Sequence, residues 1–368
     1  MAKKVKTKQG GGSLFKASSN LLALQKELKG QLFTNVGSDD FLKKIYSTRS
    51  TGFVELDMEL KTGGLLDNKV NEIFGPPHMG KTFLCMMSCI WENNFNNGLC
   101  LWGDIEDEAF DAKWYRKLGG KLNLLHLFRP DVSEKSGEES MESYLELLST
   151  GEYKIAVIDS LQGQLFLPQR MLEKKIYDTS QPAVRATVNN EFIEKAAVIC
   201  SKTKTTLLIT NHVSSKIGVT FGNPETRPGG KALKYLADCA LRIGTPDHTT
   251  GGLTGTIVKQ KRANVEGNRF KLSSSFDTGV NNYEVLVTSC IKHDVIETVK
   301  GRLVYYDEDN KEEISFKTKK AFAEELMRDK QLFLTLKKSL IQYYTPEISE
   351  DSGVSEEEDY EEDDLEEL

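Results

Sequence analysis

One eight-residue segment limits the folds open to this chain more than any other feature. It matches the pattern G-x-x-x-x-G-K-[ST] and consists of Gly75, Pro76, Pro77, His78, Met79, Gly80, Lys81 and Thr82. The apolar run VNEIFG precedes it, and a helical pattern begins at Lys81. Glycine lets the backbone curl with its N–H groups pointing inward, and the helix presents its positive end to phosphates. The segment therefore predicts a strand, loop and helix that bind the triphosphate of a nucleotide, with Lys81 on the β and γ phosphates and Thr82 on Mg²⁺.

Apolar runs of strand length alternate with helical patterns downstream of this loop. The runs are LCLWGD, NLLHLF, IAVIDS and TTLLITN, and the intervening helices are predicted near residues 110–118, 140–148 and 183–202. Repeated strand and helix units are typical of a parallel sheet covered on both faces. We therefore expect an α/β fold with a mostly parallel sheet. The β segments beyond residue 238 and a small helical and β unit after residue 280 complete the expected fold.

Acidic side chains stand at the ends of two of these strands. Asp159 ends the apolar strand YKIAVIDS and is the expected partner of Mg²⁺ through water. Hydrolysis also needs a base that positions water, and Glu106, just past LCLWGD, is the best-placed candidate. The same turn holds three further acids, and spacing alone does not choose among the four: Asp104, Asp107 and Glu108 compete with Glu106.

Two segments, residues 161–182 and 212–230, are longer than the connections of about 2 to 6 residues usual in such sheets. Both follow the carboxyl end of a strand, where open α/β sheets bind ligands. These segments and their flanks combine cations with apolar side chains: Arg185, Lys216 and Arg227 with Ile217, Val219 and Phe221. Cations neutralise phosphates, and apolar side chains can enter the gaps between unstacked bases. The combination predicts binding of a stretched single strand of nucleic acid.

The formal net charge of −7 conceals two unlike parts of the chain. Residues 347–368 hold thirteen acidic and no basic residues, so the remainder has 48 basic and 42 acidic residues, a balance of +6. A mildly basic body can bind a polyanion, and the acidic tail can compete with that polyanion. A solubilising disordered tail is the equal alternative, since blocks of like charge are disordered in either case.

The apolar and cysteine content favours a cytoplasmic protein. No run approaches the roughly 20 apolar residues needed to cross a bilayer, and the basic, glycine-rich start lacks the apolar middle of a secretory signal. The six cysteines form no C-x-x-C pair and have no histidines at zinc-like spacing, which is typical of reduced, buried thiols. We therefore expect no membrane association.

Four stretches together resemble the RecA family, the bacterial-type DNA recombinases. They are STGFVELDMELKTGGL, GDIEDEAFDAKWYRKLG, VIDS and, above all, KIGVTFGNPETRPGGKALKY, within a resemblance that runs from Ser50 to Tyr344. The last stretch is similar to the family's second DNA-binding loop, which other ATPases of this fold lack. A cellular and a phage source both stay open.

The resemblance implies roles for individual residues. It places Glu106 on the water-activating glutamate, Trp114 and Asp111 beside the adenine, and Lys259 and Lys261 in the ATP site of the neighbouring subunit. It implies a switch at Asn211 and His212, where the family usually has Asn-Gln. The histidine can make the same hydrogen bond, but its charge changes near neutral pH. The DNA-binding residues it implies are Arg185, Lys216, Ile217, Gly218, Val219, Phe221, Asn223, Arg227, Gly229 and Gly230.

The resemblance also implies an organisation and a function. Residues 1–48 would carry an oligomerisation helix at 20–32, 49–280 the ATPase core, 281–345 a small α+β domain and 346–368 a disordered acidic tail. The implied protein is a DNA-dependent ATPase of recombination and repair, including the response to DNA damage. It forms helical filaments on single-stranded DNA, pairs them with homologous duplex DNA and exchanges strands, with single-strand-binding and loader proteins as further partners. A ring helicase of the same fold and a mediator with little turnover are the alternatives.

Overall fold

The computed structural model describes residues 47–106, 110–131, 133–163, 166–167, 182–215, 225–228, 230–245, 252–276, 278–307 and 311–344. The chain divides into two units at Ser47, and the elements below belong to the second unit, Thr48–Leu368. Three predicted features lie outside the described residues. They are the helix at 20–32, the interiors of the two long loops and the acidic tail.

An eight-stranded sheet forms the centre of the molecule. Its strand order is β12-β11-β10-β3-β7-β6-β4-β5, in which the five pairings from β10 to β5 are parallel and the two at the β12 end antiparallel. The fold class predicted from the sequence is confirmed. The strands of this sheet are β3 Val70–Gly75, β4 Cys100–Asp104, β5 Leu125–Phe128, β6 Ile155–Asp159, β7 Thr206–His212, β10 Cys239–Ile243, β11 Leu253–Gln260 and β12 Arg269–Leu272.

Three smaller sheets accompany the large one. Two are antiparallel pairs, and the third has the order β13-β14-β15. Their strands are β1 Thr48–Arg49 with β2 Leu65–Leu66, β8 Ser214–Ser215 with β9 Glu225–Thr226, and β13 Glu297–Val299, β14 Arg302–Asp307 and β15 Glu312–Phe316.

The helices follow local signals in the sequence. Ser136 and Glu139 form a reciprocal capping box at the start of the helix predicted near 140–148. Asp111 accepts hydrogen bonds from two backbone N–H groups at the start of the helix predicted near 110–118. The helices are α1 Val54–Glu59, α2 Lys81–Trp91, α3 Ala112–Lys117, α4 Gly137–Ser149, α5 Pro182–Thr203, α6 Ala232–Leu236, α7 Asn282–Lys292, α8 Lys319–Arg328 and α9 Lys330–Tyr344.

The core lies on both faces of the sheet, because successive side chains of a strand point to opposite faces. In β7, Leu208 joins the cluster beneath α2, whereas Leu207 and Ile209 join the cluster beneath α4 and α5. The central members of both clusters are buried, so the central strands carry largely apolar runs rather than an alternation of apolar and polar residues. This is why the sequence indicated strands without showing an alternating pattern.

Residues 282–344 form a third layer of helices and a small sheet with its own apolar cluster. That cluster also includes Val54 of α1 and Trp91 of α2. The ammonium of Lys337 in α9 lies 2.5 Å from the carboxylate of Asp57 in α1, and both side chains are buried. Asn282 accepts a hydrogen bond from the N–H of Val54 and donates one to the carbonyl of Gly52. Polar as well as apolar contacts therefore join this layer to α1 and α2, on the face of the sheet that carries the predicted phosphate loop.

Across the part of the chain that is described, no helix is long and apolar enough to cross a membrane.

Candidate nucleotide site

The predicted phosphate loop joins β3 to α2 and depends on two of its glycines. Gly80 has a φ of 97°, and a Cβ there would lie 2.3 Å from a methyl carbon of Leu253. At Gly75 a Cβ would lie 2.4 Å from the carbonyl oxygen of Ile243. Only glycine fits at such distances, so the loop can lie directly against β10 and β11.

Lys81 occupies the inner side of this loop. Its Nζ donates hydrogen bonds to the carbonyl oxygens of Pro76, at 2.8 Å, and Gly75, at 3.2 Å. Burial lowers the pKa of the Lys81 ammonium, while the nearby carboxylates of Asp159 and Glu106 act in the opposite direction. The loop therefore holds a cation at its centre, close to two acids.

Thr82 and Asp159 meet at the start of α2. The hydroxyl of Thr82 donates to Oδ2 of Asp159 at 2.7 Å, and the hydroxyl of Thr210 donates to Oδ1 at 2.5 Å. Burial raises the pKa of Asp159, and these two hydrogen bonds counteract that effect. A hydroxyl and a carboxylate oxygen are the hard donors that Mg²⁺ takes from a protein when phosphates supply other ligands. The residues therefore fit the predicted magnesium site.

Glu106 lies in the turn after β4 and faces the same space. Its Oε1 is 2.7 Å from Nε2 of His212, and it accepts a short hydrogen bond from the hydroxyl of Ser160. The hydrogen bond from His212 is the largest cause that lowers the pKa of Glu106, and the bond from Ser160 adds to it against the effect of burial. The structure thus brings a carboxylate held in its ionised form to the cavity that also contains Lys81 and Asp159.

Asp104, one of the alternative candidates for the base, lies in different surroundings from Glu106. Asp104 is completely buried, and its carboxylate accepts two hydrogen bonds from the guanidinium of Arg129. Asp104 is not among the residues that line the cavity, whereas Glu106 is. Asp107 and Glu108 lie outside the described residues.

Aromatic side chains form the other end of the cavity, which has a volume of about 730 Å³. Trp114 stacks on Phe83 with ring centres 5.8 Å apart, and its Nε1 donates to the carbonyl oxygen of Phe276 at 2.7 Å. Phe276 in turn lies 4.9 Å from Phe83. Such a volume is ordinary for a site that binds a small molecule. The lining residues are Pro77, His78, Gly80, Lys81, Thr82, Phe83, Glu106, Trp114, Asp159, His212 and Phe276.

Phe276 is a site residue that the sequence reasoning missed. It lies in the polar stretch SSSFDTG after β12 and is about one-third exposed, at 37%. A single aromatic in a polar stretch was the one available signal. Asp111, expected beside the adenine, caps α3 through Oδ1, which accepts from the N–H groups of Lys113 and Trp114. These two hydrogen bonds therefore stabilise the start of the helix that carries Trp114.

Lys259 and Lys261 lie together, away from the cavity. The Nζ of Lys259 donates to the carbonyl oxygens of Lys234 and Tyr235, both at 2.9 Å. The Nζ of Lys261 lies 3.4 Å from the carbonyl oxygen of Leu236 and 3.5 Å from the carboxylate of Asp238. Both ammonium groups thus interact with the last turn of α6, where free carbonyls and the helix dipole favour cations.

The second long loop is closed at its base by the pair β8 and β9, in which Ser214 pairs with Thr226 and Ser215 with Glu225. Arg227 follows this pair, and its guanidinium contacts the buried carboxylate of Glu72. The structure therefore directs this predicted DNA-binding cation inward. Seven other predicted DNA-binding residues lie outside the described residues: Lys216, Ile217, Gly218, Val219, Phe221, Asn223 and Gly229.

Arg185 and Gly230 lie where α5 meets the two long loops. The guanidinium of Arg185 donates to the carbonyl oxygen of Gly163 at 2.8 Å, which joins the two ends of the first long loop. Gly230 has a φ of 100°, and a Cβ there would lie 2.2 Å from Oδ1 of Asn190. The same oxygen accepts from the N–H of Ala232 at 2.9 Å, so α5 fixes the start of α6. Arg185 and Gly230 therefore help to fix the ends of the two long loops against α5.

The parallel sheet, the loop around Lys81 and the acids at the strand ends define an α/β protein of the phosphate-loop class. Residues 18–286 match the RecA N-terminal domain. The chain belongs to the RecA family. It is 30% identical to Protein RecA 2 of Myxococcus xanthus. That match extends over 275 residues and covers 73% of this chain and 74% of the relative. It is 31% identical to Protein RecA of Rhizobium etli, and this match, also over 275 residues, covers 73% of each chain.

Proposed function

We propose that the chain is an ATP-dependent DNA recombinase that polymerises on single-stranded DNA, pairs it with homologous duplex DNA and exchanges strands. The observation that carries this proposal is the contact between His212 and Glu106. His212 is the last residue of β7, next to the loop expected to hold DNA, and Glu106 is the expected base for hydrolysis. One hydrogen bond therefore links DNA occupancy to ATP turnover. Membership of the RecA family supports the same proposal.

The proposed hydrolysis uses groups whose positions suit their tasks. Bound Mg²⁺ would neutralise charge on the β and γ phosphates of ATP, held by Thr82 and Asp159. Lys81 supplies a positive charge within the loop, and Glu106 orients a water molecule and accepts its proton. Trp114 and Phe276 present apolar faces on which the adenine packs. Each role can be tested at a separate side chain.

The proposed filament completes the ATP site from a second copy of the chain. Lys259 and Lys261 are held side by side outside the chain's own cavity, on carbonyls that they can exchange for phosphate oxygens. Two ammonium groups would stabilise the charge that develops on the transferred phosphate. ATP binding and subunit assembly are then linked, so that ATP stabilises the filament and hydrolysis releases it.

The proposed DNA contacts come mainly from the second long loop. Lys216 would neutralise phosphate, and Ile217, Val219 and Phe221 would enter the gaps between bases of a stretched strand. Gly218 and Asn223 would let the backbone approach the DNA closely, and Gly229 and Gly230 would offer N–H groups to phosphate. Duplex DNA, single-strand-binding proteins and loader proteins are the further partners of this cytoplasmic activity.

Three measurements on the full chain test the proposal. They are ATP turnover with and without single-stranded DNA, electron microscopy of the chain with that DNA and ATP, and a strand-exchange assay. We expect stimulated turnover, open helical filaments and exchange, all of which Lys81→Ala should lose. Closed rings that unwind duplex DNA would favour a helicase. Filament-free stimulation of another recombinase, with no turnover, would favour a mediator.

A further inference from the structure

Arg227 lies at the point where the second long loop rejoins the fold. The loop base is the pair β8 and β9, and the hydroxyl groups of Ser214 and Thr226 lie 2.9 Å apart across it. Glu225, on the same strand as Thr226, accepts a hydrogen bond from Nε of Arg242 at 2.7 Å. Arg227 is the next residue along the chain. A displacement of the loop base must therefore reach Arg227 directly.

The guanidinium of Arg227 is fixed by two residues of β3. It forms an ion pair with the carboxylate of Glu72, which is 1% exposed, and lies 4.5 Å above the centre of the Phe74 ring. A buried carboxylate depends on such a partner, since an unpaired charge is costly away from water. Phe74 is followed by Gly75, the first residue of the phosphate loop. The ion pair thus connects the end of one loop to the strand that begins the other.

A second set of contacts joins the same residues to β7. Asn211 Nδ2 donates to Oε1 of Glu72 at 3.2 Å and to the carbonyl oxygen of Pro228 at 3.0 Å. Asn211 is paired with Phe74 in the parallel register of β7 and β3. The next residue, His212, holds Glu106. A short chain of contacts therefore runs from the loop base through Glu72 and Asn211 to the expected catalytic base.

We propose that Arg227 and Glu72 are positioning residues that couple the second loop to the ATP site. Arg227 acts through Glu72 and Asn211 on His212 and does not itself hold DNA. This inference rests on the proposed function, because it explains how DNA on the loop changes ATP turnover. Coupling of this kind is reciprocal, so a nucleotide at the ATP site also changes the stability of the loop base.

The first test measures the reciprocal effect without DNA. Hydrogen exchange of peptides that span residues 211–228 is followed with and without a non-hydrolysable ATP analogue. Glu72→Gln keeps an acceptor for Asn211 but removes the charge that holds Arg227, and Arg227→Gln removes the other partner. Lys231→Gln is the matched control, since it removes an exposed cation that lines a small cavity together with Glu72 and Arg227. We expect the nucleotide to slow exchange in the wild type and in the control, and to lose this effect in both pair variants.

The second test measures the ratio of ATP turnover at saturating single-stranded DNA to turnover without DNA. We expect this ratio to fall about tenfold in either pair variant and no further in the double variant, because residues that act as a unit are not additive. Arg227→Lys, which keeps the charge without the planar fork, should lie between Arg227→Gln and the wild type. Thermal unfolding confirms that each variant is folded.

Direct DNA contact by Arg227 predicts a different result and would overturn the inference. Arg227→Gln would then reduce DNA affinity and lower the salt slope by about one unit, while Glu72→Gln would not. The stimulation ratio at saturating DNA and the response to nucleotide would both be kept. If single-stranded DNA does not change ATP turnover of the wild type, the proposed function is contradicted but the coupling between the loop base and the nucleotide is not. The exchange experiment, which contains no DNA, would still decide whether the pair couples the loop to nucleotide.

Discussion

The imidazole Nε2 of His212 lies 2.7 Å from Oε1 of Glu106 and joins the end of β7 to the turn after β4. An ionised carboxylate can only accept, so Nε2 must carry the proton in this hydrogen bond. The bond favours the carboxylate and lowers the pKa of Glu106. The family's usual amide at this position could donate the same hydrogen bond.

This relationship predicts the pH dependence of ATP turnover. His212→Ala removes the donor, so the pKa of Glu106 rises and the acidic limb of the kcat profile moves to higher pH. His212→Gln replaces the donor with an uncharged amide and should return the limb toward the wild-type position. Profiles of all three proteins from about pH 3 to 7, on both sides of the ordinary glutamate pKa of about 4.3, measure the shift. Superimposable acidic limbs in the wild type and His212→Ala would contradict the assignment.

The role of Glu106 predicts a separation of hydrolysis from assembly. Glu106→Gln keeps the size and one hydrogen-bond acceptor but cannot take a proton, so turnover should fall by a factor of about 10² to 10⁴. ATP-dependent filaments on single-stranded DNA should persist and become longer-lived, as judged by electron microscopy. Normal turnover in this variant would mean that another group is the base.

The aromatic wall predicts the affinity for ATP. Trp114→Phe keeps a ring on Phe83 but loses the hydrogen bond to the carbonyl of Phe276, whereas Trp114→Ala removes the wall. Each aromatic contact adds roughly 0.5 to 1.5 kcal/mol, so KM for ATP should rise a few-fold to tenfold in Trp114→Ala and in Phe276→Ala. Trp114→Phe should lie nearer the wild type. Steady-state kinetics with ATP varied would show this order, and unchanged KM values would place the adenine elsewhere.

The position of Lys259 and Lys261 predicts complementation between two inactive proteins. Glu106→Gln lacks the base of its own site, and the double variant Lys259→Ala/Lys261→Ala lacks the groups given to a neighbour. In an equal mixture that assembles at random, about a quarter of the interfaces combine an intact base with intact lysines. We therefore expect turnover to reappear on mixing. A mixture as inactive as its components would show that the lysines act within their own subunit.

The buried pair between Lys337 and Asp57 predicts a large loss of stability. Lys337→Met leaves the Asp57 carboxylate buried without its cation, which costs about 3 to 5 kcal/mol. Lys338→Met changes the same side-chain type at an exposed neighbouring position and should have an effect within about 0.5 kcal/mol. Urea unfolding measures the free energy of unfolding of the two variants. Equal losses would show that the buried ion pair stabilises the fold no more than an exposed lysine does.

Local sequence signals were sufficient to predict the position of residues whose neighbours lie close along the chain or at strand ends. Lys81 and Thr82 belong to one loop, and Asp159 ends an apolar strand that could only be central. The choice of Glu106 over Asp104 needed the family resemblance, and the structure supplies a physical reason in Arg129, which neutralises Asp104.

Other site residues depend on contacts across the sheet that no local pattern records. Phe276 meets Trp114 from 162 positions away, because the segment after β12 lies against Gly80 of the phosphate loop. Glu72 contacts Arg227 across 155 positions, so a buried acid in an apolar strand gave no sign of its partner. The sequence therefore predicted Arg227 as a DNA-binding cation without indicating its contact with Glu72.

The ion pair between Asp57 and Lys337 also bears on how the molecule is made. During synthesis the carboxylate leaves the ribosome 280 residues before the ammonium that neutralises it. Domains generally fold from the N-terminal side as they emerge, yet α1 must wait for α9 before its buried acid is paired. Until then, among the described residues, Asp57 is held by the hydroxyl and N–H groups of Ser50 and Thr51. A nascent chain that stalls before α9 therefore carries an unfinished nucleotide-binding core, which is a substrate for chaperones and proteases rather than a shorter ATPase.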